Sequence, residues 1–167
     1  MGFKDILGKV QESEEFKSWR SDNPDNVLAH IFIMYDGDKL MDQQVGYYNK
    51  SRGTMSSFTI SSGSVTLIPE AEVLKRPDGG DIKELDLSQV KVDFEEAEEK
   101  SDRLAKDKYS KSGSKKIYIL QNIDEGLVWN ITLLTNDYNT LNIRIDAASG
   151  EILKDEIVNI IDFHNSK

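Results

Sequence analysis

Four carboxylates crowd residues 95–99: Glu95, Glu96, Glu98 and Glu99. Paired carboxylates can divide general-acid and general-base work, or ligate a hard cation. Glu95 and Glu99 stand at i, i+4, on one face of a helix. Their setting points elsewhere. Asp93-Phe94-Glu95-Glu96 has the form of a capping box, with Asp93 as cap and Glu96 reaching back. Acidic residues in the first turns suit the helix macrodipole, as Lys100, Arg103, Lys106 and Lys108 suit the later turns. A solvated helix face explains them. Asp36-Gly37-Asp38 lacks the spaced ligands and terminal glutamate of a calcium loop, and reads as a hairpin turn. Asp146 stands at a strand end, where its side chain caps the turn that follows. His30 lies mid-strand among apolar neighbours and is expected buried and hydrogen-bonded; His164 sits in a polar tail. Ser61-Ser62-Gly63-Ser64 has no strand–turn–helix context to make a serine nucleophilic. With no cysteine and two histidines, the chain has no thiolate site and too few imidazoles for a multi-histidine metal site. We therefore expect no catalytic residues, no metal site and no cofactor.

The aromatic residues offer a different chemistry. Tyr47, Tyr48 and Phe58 lie on a hairpin over 44–61, among Ser56, Ser57, Thr59 and Ser61. Aromatic rings amid small polar residues make contact area at low entropic cost. Tyr47, Tyr48, Phe58 and His30 are thus the candidate binding residues, with Tyr48 expected exposed. The competing account packs Tyr47 and Phe58 beneath a helix over 14–21.

The elements that must position these residues are legible from periodicity. Phe3, Ile6, Leu7 and Val10 recur at helical spacing, as do Phe16 and Trp19, predicting helices over 3–9 and 14–21 with Ser13 as a cap. Residues 28–35 are apolar on both alternating faces, so this strand is expected to be covered on both. Strands over 44–50, 54–61 and 65–68 follow as a meander. Residues 75–84, with Pro77, Gly79 and Gly80, are the linker candidate. A helix over 94–109 leads to strands over 115–122, 127–135, 140–146 and 151–154. In that stretch Leu127, Trp129, Ile131 and Leu133 share one face, while Asn130, Thr132, Asn142 and Arg144 share the solvated one.

The two halves have the same grammar of helix, long strand, hairpin and short strand, offset by 84–86 residues. The segment Leu141-Asn142-Ile143-Arg144-Ile145-Asp146-Ala147-Ala148-Ser149-Gly150-Glu151-Ile152-Leu153 resembles the C-terminal signature of PepSY-like domains: a strand ending in Asp-Ala, a small turn with Gly, then Glu and two apolar residues. Glu96-Ala97 fits the helix preceding that meander, and Trp129 its middle-strand aromatic. The resemblance spans about 86–156; over 12–74 it is architectural, with Gly46-Tyr47-Tyr48-Asn49 and Ser57-Phe58 like a diverged copy. It implies an α+β protein of two PepSY-like modules, each a helix packed on an antiparallel three- to four-stranded meander. They would span residues 1–76 and 85–167, joined by a linker at 77–84. Such modules are generally non-catalytic and are thought to bind or restrain other proteins.

The expected function is a non-catalytic binding or regulatory role, engaging a protein or peptide through a sheet face or edge. The alternative is a small-molecule binder or metal-independent enzyme with a site between the modules, using His30 and Tyr48. A net charge of −9 over 167 residues argues against nucleic acid and anionic membranes as partners. Lys4, Asp5 and Lys9 interrupt the apolar residues at the N-terminus, and no apolar run approaches the roughly 20 residues of a membrane helix, so a cytoplasmic location is expected.

Overall fold

Apolar residues at i, i+3 and i+7 put Phe3, Ile6 and Val10 on one buried stripe of α1 (Phe3–Glu12). Ser13 ends this helix and starts the next: its Oγ accepts from Phe16 N–H at 3.2 Å, capping α2 (Glu14–Asp22), which buries Phe16 and Trp19. A meander follows, of β1 (Val27–Asp36), β2 (Lys39–Asn49), β3 (Thr54–Ser61) and β4 (Ser64–Glu72). Asp93 Oδ1 accepts from Glu96 N–H at 2.9 Å and caps α3 (Phe94–Tyr109). Glu96 itself does not reach back; it pairs with Lys100 Nζ at 3.5 Å. A second meander completes the chain: β5 (Gly113–Ile123), β6 (Gly126–Thr135), β7 (Asn139–Asp146) and β8 (Ile152–Asn159). The structure is a computed structural model describing residues 2–73 and 82–159.

The expected pair of modules is corrected by the strand order. All eight strands form one antiparallel sheet, β4-β3-β2-β1-β5-β6-β7-β8. β1 pairs with β5 from His30↔Gln121 to Asp36↔Lys115, so the halves join along a continuous ladder. The physical reason lies in backbone satisfaction. β1 uses one edge on β2, and its other edge carries N–H and C=O groups that need partners; β5 supplies them. The same ladder occupies the boundary where a site between modules was considered.

The helices do not form two layers that shelter each other. Their buried residues, Phe3, Ile6, Val10, Phe16, Trp19, Phe94, Ala97 and Ala105, all join one core with Ile31, Ile33, Val45, Tyr47, Phe58, Tyr118, Leu120, Trp129, Ile131, Leu133, Leu141, Ile143 and Ile145. Alternation along each strand places these on a single face of the sheet. The expectation that β1 is covered on both sides is therefore also corrected among the described residues.

Residues 82–93 cross one end of the sheet as a strap. Leu85 N–H donates to the Leu28 carbonyl (2.8 Å), and Asn122 Nδ2 to that of Glu84 (3.0 Å). Lys91 and Val92 N–H both donate to the Ala147 carbonyl (2.8 and 2.9 Å), and Trp129 Nε1 donates to Val92 O (2.9 Å). The strap thus ties β1, β5, β6 and β7 before α3 begins. Of the expected linker at 77–84, residues 77–81 lie outside the described residues, and 82–84 begin the strap.

Candidate functional site

Tyr47 and Phe58 are core residues. Phe16 and Trp19 of α2 stand 5.4 and 5.2 Å from the Tyr47 ring, and 5.5 and 5.1 Å from that of Phe58. The Arg20 guanidinium caps the cluster, 5.3 Å from the Tyr47 centroid, while its Nη1 donates to the Asn23 and Asn26 carbonyls (3.1 and 2.7 Å). Burial pushes the Tyr47 phenol up from its usual pKa. This is the packing beneath the second helix, so neither ring is free to meet a partner.

Tyr48 lies on the opposite side of β2 and is 3% exposed, which corrects the expectation that it is exposed. Its ladder neighbours are Val27 and Met55, large side chains on both flanking strands. His30 shares that side. Its imidazole lies over Gly46, its partner in the ladder; a Cβ on Gly46 would stand 2.2 Å from His30 Cε1. Burial lowers the His30 pKa and keeps the ring neutral. His30 makes no hydrogen bond among the described residues, contrary to expectation, so nothing orients it as a base. The sequence-predicted residues therefore divide between two faces: Tyr47 and Phe58 under α2, His30 and Tyr48 on the other side.

Glu96, Glu99 and Asp146 have structural partners. Glu99 pairs with Arg103 (2.5 Å) on an exposed face of α3. Asp146 Oδ1 accepts from Ala148 and Ser149 N–H, both at 2.8 Å, and these bonds hold its carboxyl below the usual range.

Among the described residues one face of the sheet carries no helix, and this helix-free face carries what sequence reasoning missed. Phe32 pairs with Ile119, and Met34 with Ile117, across the β1–β5 ladder. All four are half-buried, and none packs against the helix-covered core. Polar residues flank this apolar centre. Toward β2 and β3, Gln44 Nε2 and Thr59 Oγ1 donate to the Asp42 carboxylate (2.6 and 2.9 Å). Toward β6, β7 and β8 the ladder runs Asn130–Arg144–Lys154 in one row and Thr132–Asn142–Glu156 in the next. These six residues line a shallow depression of about 280 Å³. A signal was present in the sequence: Ile117, Tyr118, Ile119 and Leu120 are apolar on both alternating faces, as 28–35 are.

Residues 91–156, from the end of the strap into β8, match the family model described as the peptidase propeptide and YPEB domain, PepSY. The C-terminal half carries a PepSY domain. The PepSY segment holds the strap's contact to Ala147, α3 and the polar depression; the apolar centre straddles its contact with β1. The family is named for a propeptide, and no catalytic family is indicated. The fold is shared with the crystal structure of a "putative lipoprotein" from Clostridium difficile 630, at 15% identity and a TM-score of 0.55, covering 85% of this chain and 89% of that one. No curated protein matches the chain. The cytoplasmic location expected from residues 1–10 is corrected by this likeness, since the fold is one that a protein named as a lipoprotein carries.

Proposed function

We propose that this PepSY-domain protein is a non-catalytic binding module that engages a protein or peptide through the helix-free face of its sheet. One observation carries the reading: Phe32, Met34, Ile117 and Ile119 form a contiguous apolar centre at the middle of the face, bordered by the polar residues Asp42 and Gln44 on β2 and Asn130 and Thr132 on β6. An antiparallel sheet with one covered face usually presents polar side chains on the other. An apolar centre with a polar surround is the anatomy of a contact surface. The edges are less suited to strand addition. Pro69 on β4 lacks an N–H, and the register shifts between Ser57 and Met55 opposite it. β8 carries Lys154, Asp155 and Glu156 in succession.

The test uses a displayed library of random peptides panned on the intact chain. Recovered binders should lose about 10- to 100-fold in affinity for a Phe32→Ser/Ile119→Ser double variant. That corresponds to about 1–3 kcal/mol of lost apolar contact. An unchanged amide spectrum for core residues checks that the variant retains its fold. Binders indifferent to the double substitution, or none after repeated selection, would overturn the proposal.

A further inference from the structure

We propose that the depression over β6, β7 and β8 is a carboxylate subsite of this face, taking the acidic side chain of a bound peptide; the inference rests on the binding role proposed above. Hydrogen-bond donors outnumber acceptors there. Asn130 has no side-chain partner among the described residues. Asn142 spends its Oδ1 on Thr132 Oγ1 (3.2 Å) and keeps its Nδ2 for another acceptor. Arg144 commits one terminal nitrogen to Glu125, leaving most of its five donors. Lys154 Nζ stands 3.5 Å from Glu156 Oε2.

Charge placement points the same way. Arg144 and Lys154 are direct partners in the β7–β8 ladder. Glu125 and Glu156 each pair with one of them, and a ligand carboxylate seated between the two cations accepts from both. The side-chain exposure of Arg144 is 28%, which limits solvent screening at the guanidinium.

The depression, at about 280 Å³, lies at the lower end of the ~300–1,000 Å³ of small-ligand pockets. It fits a carboxylate and its methylenes. Ile119, Asn130 and Arg144 lie in one row, so the middle of the apolar centre, between β1 and β5, is three strands from the middle of the cation pair, between β7 and β8, about 14 Å. Side chains of an extended peptide alternate between faces, so the residues that share a face over this range are four apart, about 13 Å. The ligand pattern is a large apolar residue with an acidic residue four positions away.

The experiment follows the Asn side-chain amides and the Arg Nε–H by ¹⁵N–¹H correlation during titration with four probes: acetyl-Leu-Ser-Ser-Ser-Glu-amide, its Gln counterpart, glutarate and inorganic phosphate. The Glu peptide should shift Asn130, Asn142 and Arg144 saturably, and bind about tenfold more tightly than the Gln peptide, the scale of a hydrogen bond to a charged group. Arg144→Gln/Lys154→Gln should abolish that difference while leaving the Gln peptide's binding unchanged. Glu125→Gln, which frees the guanidinium, should tighten the Glu peptide two- to threefold. Equal binding of the Glu and Gln peptides, with both dependent on Phe32 and Ile119, overturns the subsite and leaves the face reading standing. Glutarate or phosphate saturating these residues more tightly than the Glu peptide overturns the peptide assignment in favour of a free anion. No saturable shift from any probe overturns it outright.

Discussion

Gly46→Ala tests the geometry of the helix-free face at one atom. The added Cβ would lie 2.2 Å from His30 Cε1, 2.5 Å from Nε2 and 2.7 Å from Nδ1. Ordinary contact begins near 3.4 Å, so the ring must give by more than 1 Å. It has little room, because His30 stands between Gly46 and Gln121 in adjoining ladders. Overpacking of this kind costs about 1–3 kcal/mol. Alanine in a strand recovers about 0.5–1 kcal/mol of backbone entropy relative to glycine. Gly46 is not in the left-handed region, so that gain is available. The single variant should lose about 1–2 kcal/mol net, or roughly 2–8 °C in Tm for a chain of this size. In a His30→Ala background the same substitution should become neutral or stabilising by up to about 1 kcal/mol, since only the backbone gain remains. The assay is a double-mutant cycle by urea unfolding, with an expected coupling of about 1–3 kcal/mol. Equal effects of Gly46→Ala in both backgrounds, within about 0.5 kcal/mol, would refute the stacking of His30 on Gly46.

His30 also has a pH signature. Its folded pKa is lowered by burial, so the unfolded state takes up a proton that the native state refuses. Stability is full above the unfolded value near 6.5 and falls as pH drops below it, at up to about 1.4 kcal/mol per pH unit. Urea midpoints measured from pH 7.5 to 5.5 should show this slope, and His30→Asn should flatten it. Asp146→Ala removes two hydrogen bonds to the Ala148–Ser149 turn and should cost about 1–2 kcal/mol in urea unfolding; Asp146→Asn, which keeps the acceptor, should cost less. Because those bonds hold its folded pKa down, the Asp146 contribution is present above the unfolded carboxyl pKa and is lost as pH falls through the folded one. Trp129→Phe breaks the indole bond to Val92 O in a fully buried site and should cost about 2–4 kcal/mol, read as a lowered unfolding midpoint. It should also raise amide exchange at Lys91 and Val92, which donate to Ala147 in the same strap.

Local signals carried the elements. Helix stripes such as Phe3–Ile6–Val10 and alternations such as Leu141–Ile143–Ile145 each depend on residues a few positions apart, and the structure follows them within a few residues. The join of β1 to β5 depends on partners 79 to 91 residues apart, 87 for Phe32↔Ile119, and no local period encodes it. The double-sided apolar pattern of β1 was visible, but it fits a strand between two layers and a strand at the centre of one wide sheet equally well. Tyr48 shows the same limit in miniature. Its neighbours along the chain, Tyr47 and Asn49, do not set its exposure, whereas its burial depends on a position between strands that flank it with Val27 and Met55. The PepSY signature was readable because it is a contiguous strand–turn–strand. The polar depression was half readable: Asn130, Thr132, Asn142 and Arg144 alternate outward, but the addition of Lys154 and Glu156 needs the β7–β8 register.

The width of the sheet explains why one face is left bare. Eight strands about 4.8 Å apart span roughly 34 Å. Three helices, each about 10 Å across, cover roughly 30 Å. The helices suffice for one face and have nothing left for the second. A chain built this way must make its second face compatible with water, and the outer strands do so with Ser57, Thr59, Asn130, Thr132, Asn142 and Arg144. Solubility alone asks the same of β1 and β5, yet these place Phe32, Met34, Ile117 and Ile119 at the middle of that face. The helix-covered core cannot be what retains them there, because none of the four touches it. Within the face they meet one another and are bordered by the polar pairs Asp42 and Gln44 on β2 and Asn130 and Thr132 on β6, an arrangement a docking partner completes.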